Sequence, residues 1–216
     1  DTLLIALPTG GGKSLVTQLL ASTSSGLTVV IVPTVALALD QYHAALNTLK
    51  EAQGIFCYRG EQSDAERMEI IKALKNRKAR ILFTSPEAIL KNQELRKVLD
   101  VNAEDRYLAN VIVDEAHVVP DWGVFFRPDF QVFSIVLKKW KRTSENHVRT
   151  YLLSATLSDD VVDALFTLFG TKGCNAQVRC DALRQEPRFY FQSVKSIKEQ
   201  VEKTMEAIRL LPKPMV

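Results

Sequence analysis

Short apolar runs alternate along the chain with longer stretches in which apolar residues recur at helical spacing, and this alternation predicts strands and helices in turn. Residues 3–7 (LLIAL) and 27–32 (LTVVIV) are continuous apolar runs, the pattern of strands buried on both faces of a parallel sheet. Between them residues 15–21 read as a helix, followed by a small-residue break at 22–26. Pro33 stops the second strand, and Val35, Leu39, Tyr42, Leu46 and Leu49 set a helix over 35–50. Shorter strands are expected at 55–58 and 80–83. Ser63-Asp64-Ala65-Glu66 has capping-box form and opens a helix through Met68, Ile71 and Leu74. Ser85 suits an N-cap and Pro86 the first helical position, which predicts a short helix to residue 91 and another over 94–100. A strand at 109–113, a helix at 129–142 and a strand at 151–153 follow. Ser158 then caps an amphipathic helix through Val161, Val162, Leu165 and Leu168, which Gly170 terminates. The tail holds possible strands at 176–180 and 188–192 and a helix at 197–211.

Strands alternating with helices predict an α/β fold, a mostly parallel sheet with helices on both faces. At 216 residues and 46% hydrophobic the chain can bury a sizeable core. A net charge of +3 permits a nucleic-acid partner without demanding one. Cys57, Cys174 and Cys180 are widely spaced and form no CxxC pair, which argues against a zinc ribbon or a disulfide framework. The apolar runs fall well short of the 18 or so residues that span a bilayer. A cytoplasmic protein with no membrane partner is therefore expected, and both ends read as cut from something longer.

Candidate chemistry gathers at strand ends. Leu7-Pro8-Thr9-Gly10-Gly11-Gly12-Lys13-Ser14 joins the first strand to the first helix. Glycines there allow backbone N–H groups to converge on a phosphate, helped by the helix N-terminus. Lys13 is placed to reach the β- and γ-phosphates of a nucleotide such as ATP, and Ser14 to ligate Mg²⁺. Asp114 and Glu115 end the fifth strand. Adjacent carboxylates repel unless a cation is present, so Asp114 reads as a Mg²⁺ carboxylate and Glu115 as the group that polarises the attacking water. His117 has a second reading as a structural histidine, and Ser154 and Thr156 as caps of the helix that follows them. The run Lys138-Lys139-Trp140-Lys141-Arg142 reads as a solvated helix end rather than a DNA patch.

Taken together these segments resemble a known family. Leu7 to Ser14 is similar to motif I of superfamily 2 helicases in its RecQ form. Asp114-Glu115-Ala116-His117 is similar to the DEAH form of motif II, and Ser154-Ala155-Thr156 to motif III. Val32-Pro33-Thr34 through Asp40-Gln41 resembles motif Ia, and Thr84-Ser85-Pro86-Glu87 motif Ib. Trp122-Gly123-Val124-Phe125-Phe126-Arg127-Pro128-Asp129-Phe130 resembles the aromatic-rich loop of RecQ helicases.

The resemblance implies a RecA-like P-loop NTPase domain over residues 1–180, with 181–216 leading to a second RecA-like domain. It implies ATP bound by Thr9, Gly10, Gly11, Gly12, Lys13 and Ser14, and Mg²⁺ held by Ser14 and Asp114. Lys13, Asp114 and Glu115 would be catalytic, and His117, Ser154 and Thr156 would couple hydrolysis to the rest of the motor. Trp122, Phe125, Phe126 and Arg127 would meet single-stranded DNA, where stacking is worth about 1–3 kcal/mol per base. Phe130 is expected in the core instead. Thr34, Thr84, Ser85 and Pro86 would contact the DNA backbone at duplex junctions.

Ser154 stands where the family usually carries threonine, and residues 118–121 depart from its pattern, which suggests a divergent branch with prokaryotic DNA-defence partners. Two other functions stay open at this stage. One is an RNA-directed DEAH- or DEAD-type ATPase, and the other a catalytically silent scaffold that binds DNA or protein.

Overall fold

A computed structural model describes residues 1–49, 53–119, 128–155, 157–180 and 192–210. The strands are β1 (Thr2–Ala6), β2 (Leu27–Ile31), β3 (Ile55–Cys57), β4 (Ile81–Thr84), β5 (Leu108–Val113), β6 (Arg149–Ser154) and β7 (Asn175–Arg179). The helices are α1 (Lys13–Thr23), α2 (Val35–Thr48), α3 (Asp64–Lys75), α4 (Pro86–Lys91), α5 (Gln93–Glu104), α6 (Pro128–Thr143), α7 (Asp159–Phe169) and α8 (Ile197–Leu210). The strands form one seven-stranded sheet in the order β3-β4-β2-β5-β6-β1-β7. Every pairing is parallel, which sharpens the expectation of a mostly parallel sheet.

Alternation along each strand builds two cores. On one face Leu4, Val29, Ile31, Leu82, Val111, Val113 and Leu152 pack with residues of α3 to α7 such as Leu74, Leu99, Phe133 and Leu165. On the other face Ile5, Val30, Val32, Phe83, Ile112 and Leu153 pack with Ala21 of α1 and with Ala38 and Ala45 of α2. A strand buried on both faces has no polar side to show, hence the unbroken apolar runs in the sequence.

Local chemistry sets the helix starts. The capping box forms as expected: the Ser63 hydroxyl accepts from the Glu66 N–H and the Glu66 carboxylate accepts from the Ser63 N–H. Ser85 caps α4, accepting from the Ala88 N–H, with Pro86 at the first position.

Ser158 differs, for it makes no side-chain cap bond to α7. Gly170 does end α7, but in an extended conformation at φ −68° rather than a left-handed one. Space explains it: a Cβ there would lie 2.2 Å from the Phe166 carbonyl oxygen. On α2 the buried face carries alanines, and Val35 and Leu46 are exposed, so the inward stripe lies to one side of the expected one.

The basic run at the end of α6 is only in part a solvated helix end, with Lys138 and Arg142 exposed. Trp140 is fully buried and packs edge-on against Phe133, and its indole N–H donates to Asp100 at 2.6 Å. Lys139 pairs with the same carboxylate at 2.7 Å. Lys141 is buried and donates to the Thr2 hydroxyl, the Phe169 carbonyl and the Thr171 hydroxyl. The helix therefore points Lys141 inward, where oxygen acceptors from β1 and the end of α7 wait for it, while Lys139 reaches across to Asp100 of α5.

By contact the chain forms two units, Asp1–Ala182 and Leu183–Val216. Within the second, α8 is amphipathic, with exposed Ile197, Val201, Met205 and Ile208 recurring at helical spacing. The strand expected at 188–192 falls almost entirely outside the described residues. No helix among the described residues is long and apolar enough to cross a membrane.

Candidate functional site

Strands β5, β6 and β1 are neighbours, so their carboxyl ends bring three polar segments to one edge. Such an edge is where open α/β sheets bind ligands. After β1 the chain enters Leu7 to Ser14, anchored by the Leu7 N–H donating to the Ser154 carbonyl at 3.0 Å. Gly12 serves as the N-cap of α1 at φ 92°, a left-handed conformation that a side chain resists. At Gly11 a Cβ would lie 2.8 Å from the Pro8 carbonyl oxygen, whose bond to the Gly11 N–H closes the turn. The glycines are thus required by the turn itself, and Thr9, Gly10, Gly11 and Ser14 face outward around it. A backbone turn of this form at the positive end of a helix suits a phosphate group.

Lys13 reaches from this cradle towards β5, where its amine lies 3.7 Å from the Glu115 carboxylate. Glu115 holds φ 48°, a left-handed conformation uncommon for a residue with a side chain and one that concentrates at functional sites. The turn aims its carboxylate between Lys13 and His117, whose Nδ1 is 3.3 Å from Glu115 and 3.0 Å from the Ser154 hydroxyl. His117 thus bridges the ends of β5 and β6. Thr156 lies outside the described residues.

Asp114 is 5% exposed. Burial, and then the neighbouring Glu115 charge, push its carboxyl above the usual carboxylate range. One oxygen accepts from the Gln41 side-chain amide of α2, while Oδ1 has no hydrogen-bond partner among the described residues. A buried, unsatisfied carboxylate oxygen beside a second carboxylate fits a divalent cation. Ser14, opening α1, supplies the hydroxyl on the facing segment. The residues present therefore suit Mg²⁺ held with a nucleotide.

Further along the same edge, β2 and β4 are neighbours and end at the segments resembling motifs Ia and Ib. A groove of about 510 Å³ lies there, lined by residues that include Thr34, Val35, Arg67, Ser85, Lys91 and Asn92. Thr34 caps α2 and is exposed. Thr84 and Pro86 do not fit their expected role as DNA contacts, because both are buried. The Thr84 hydroxyl is spent inside, donating to the Tyr58 carbonyl at 3.2 Å. Thr34 and Ser85 are the members of that set that border the groove. Trp122, Phe125, Phe126 and Arg127 lie outside the described residues, whereas Phe130 is fully buried as expected.

Gln41 is the contact that motif spacing did not single out. Its segment was legible, but a bond across 73 residues needs the fold to be seen.

A seven-stranded parallel sheet with a glycine-built turn after β1 and an acidic pair after β5 has the RecA-like fold. More particularly, the chain belongs to the DEAD/DEAH box helicase family, whose description fits residues 1–165. Its relatives include the ATP-dependent DNA helicase Q-like 4B of Arabidopsis thaliana, 34% identical over 163 residues, which are 74% of this chain and 14% of that protein. The ATP-dependent helicase SGS1 of Saccharomyces cerevisiae is 35% identical over 161 residues, 73% of this chain and 11% of that protein. The chain thus spans a small part of the length of these relatives. Among solved structures, the DUF1998 helicase MrfA aligns with a TM-score of 0.64 at 21% identity, covering 97% of this chain and 32% of that one, a likeness of fold.

Proposed function

We propose that this chain is the ATP-binding motor domain of a RecQ-like DNA helicase, coupling ATP hydrolysis to movement along single-stranded DNA and to duplex unwinding. The observation that carries the reading is the convergence of Lys13, Asp114, Glu115 and His117 with Ser154 at three adjacent strand ends. The similarity to DNA helicases supports the choice of DNA.

Phosphoryl transfer asks little covalent chemistry of the protein, so positioning and electrostatics carry it. Backbone N–H groups of the Thr9 to Ser14 turn hold the phosphates, and Lys13 neutralises charge on the β- and γ-phosphates. Glu115 orients water in line with the γ-phosphate and accepts its proton. Mg²⁺, when bound by Ser14 and Asp114, spreads the charge that develops on the phosphate oxygens. His117, Ser154 and Thr156 relay the state of the site to the next strand. Thr34 and Ser85 meet the DNA backbone, and Trp122, Phe125, Phe126 and Arg127 stack on or pair with unpaired DNA. Full activity requires a second RecA-like domain, which supplies an arginine to the γ-phosphate.

Steady-state ATP hydrolysis compared with single-stranded DNA and with RNA of the same sequence tests this reading. Stimulation by DNA alone is expected. Stimulation by RNA alone would transfer the chain to RNA-directed ATPases, and absence of Mg²⁺-ATP binding by calorimetry would make it a silent scaffold.

A further inference from the structure

Gln41 is the residue the proposed mechanism leaves without work. It is partly buried on α2, and its amide donates to one oxygen of Asp114. That bond occupies Oδ2 and leaves Oδ1, the oxygen with no partner, turned to another use. A carboxylate with one oxygen pinned has lost its freedom to rotate. Ligand-orienting partners of this kind, one bond removed from a cation, tune affinity as strongly as many direct ligands do.

The N-terminus of the same helix reaches a different surface. Thr34 caps α2 by accepting from the Leu37 N–H at 3.2 Å, and Pro33, Thr34 and Val35 line the groove at the β2 and β4 ends. Gln41 lies two helical turns further on, about 10 Å along the axis. The helix between them is continuous. An unbroken helix of this kind would carry a displacement of its N-terminus to the Gln41 amide.

We infer that Gln41 is a positioning residue that fixes Asp114 for the divalent cation and carries the state of the Thr34 groove to it. The inference rests on the function proposed above. It specifies a route between nucleic acid and cation that runs through α2, separate from the aromatic-rich loop.

The test is Mg²⁺ dependence of binding, with a fluorescent ATP analogue titrated into the full protein at stepped Mg²⁺, with and without a poly-dT oligonucleotide. Gln41→Met keeps the length of the side chain and removes the donor, and Gln41→Ala removes both. In the wild type, the oligonucleotide should lower the Mg²⁺ midpoint. Both variants should raise that midpoint about tenfold, the low end of the 10–100-fold range for such partners, and should lose the oligonucleotide effect. Mg²⁺-free nucleotide binding and oligonucleotide affinity should stay at wild-type values.

A wild type with Mg²⁺-dependent binding and variants identical to it would overturn the role of Gln41 alone. Variants that melt lower and lose Mg²⁺-free binding as well would also overturn it, by making the contact structural. A wild type without Mg²⁺-dependent nucleotide binding would overturn the proposed function, and this inference with it.

Discussion

Lys141 is a buried cation held by three neutral oxygens. Burial, helped by the Lys138 charge nearby, lowers its pKa from 10.5 to about 8. Between those values the unfolded chain binds more protons than the folded one, so this residue makes stability rise with pH across that window. Its contribution is complete above pH 10.5 and is lost as the pH falls through about 8. Other groups titrate in the same range, including Tyr58 and Tyr107, whose raised values act in the opposite direction. The comparison with Lys141→Met cancels them. The wild-type stability minus that of the variant should grow by on the order of 1–3 kcal/mol from pH 7.5 to 10, measured by urea unfolding. A flat difference would show that the amine is not desolvated.

Lys13 makes a complementary case. Its amine lies at the mouth of the cradle against Glu115, so Lys13→Ala should leave the melting temperature within a degree or two and abolish Mg²⁺-ATP binding by calorimetry. Retained binding would remove Lys13 from the phosphate site.

At the scale of elements, the cores and the glycine turn after β1 were legible for the same reason. Strands buried on both faces have to be apolar throughout, and the turn from β1 to α1 has to be glycine, so both requirements are written in consecutive residues. The acidic pair was legible through its place at the end of an apolar strand. What consecutive residues do not record is which face of a helix turns inward. The α6 tail looked like a charged surface because Lys139, Trp140 and Lys141 find their partners on α5, β1 and the end of α7. Thr84 looked available for DNA because nothing in its neighbourhood announces the Tyr58 carbonyl.

Trp140 then gives an element-scale prediction. Its ring fills the space between α6 and α5 and its N–H binds Asp100, so Trp140→Ala should cost about 3–5 kcal/mol in denaturant unfolding. A cost below 1 kcal/mol would mean that the helix pair is not held there. Gly170→Ala adds a test of the end of α7. The methyl group would meet the Phe166 carbonyl at 2.2 Å, so destabilisation is expected although the backbone conformation suits alanine.

For the whole molecule, the seven-stranded sheet brings the proposed nucleotide edge and a groove into one compact unit, Asp1–Ala182. Strand order does this: β5, β6 and β1 carry the proposed nucleotide residues, and β2, next to β5, carries the groove together with β4. An arginine supplied by another domain is worth about 10³–10⁵ in rate, or roughly 4–7 kcal/mol of barrier. Residues 1–216 expressed alone should therefore bind ATP yet turn it over at least about 10³-fold more slowly than the full motor. In the full protein, Trp122→Ala with Arg127→Ala should leave basal hydrolysis in place and remove its stimulation by single-stranded DNA.

The most direct measurement of the central claim is ATP turnover by the full protein carrying Glu115→Gln, with single-stranded DNA at saturation. The Glu115 backbone holds the left-handed region, and its carboxylate, beside Lys13 and His117, is the group proposed to orient the attacking water. Its amide replacement should bind Mg²⁺-ATP with near wild-type affinity and lose at least about 10²-fold in kcat, the scale of a general base. Turnover at the wild-type rate would contradict the account.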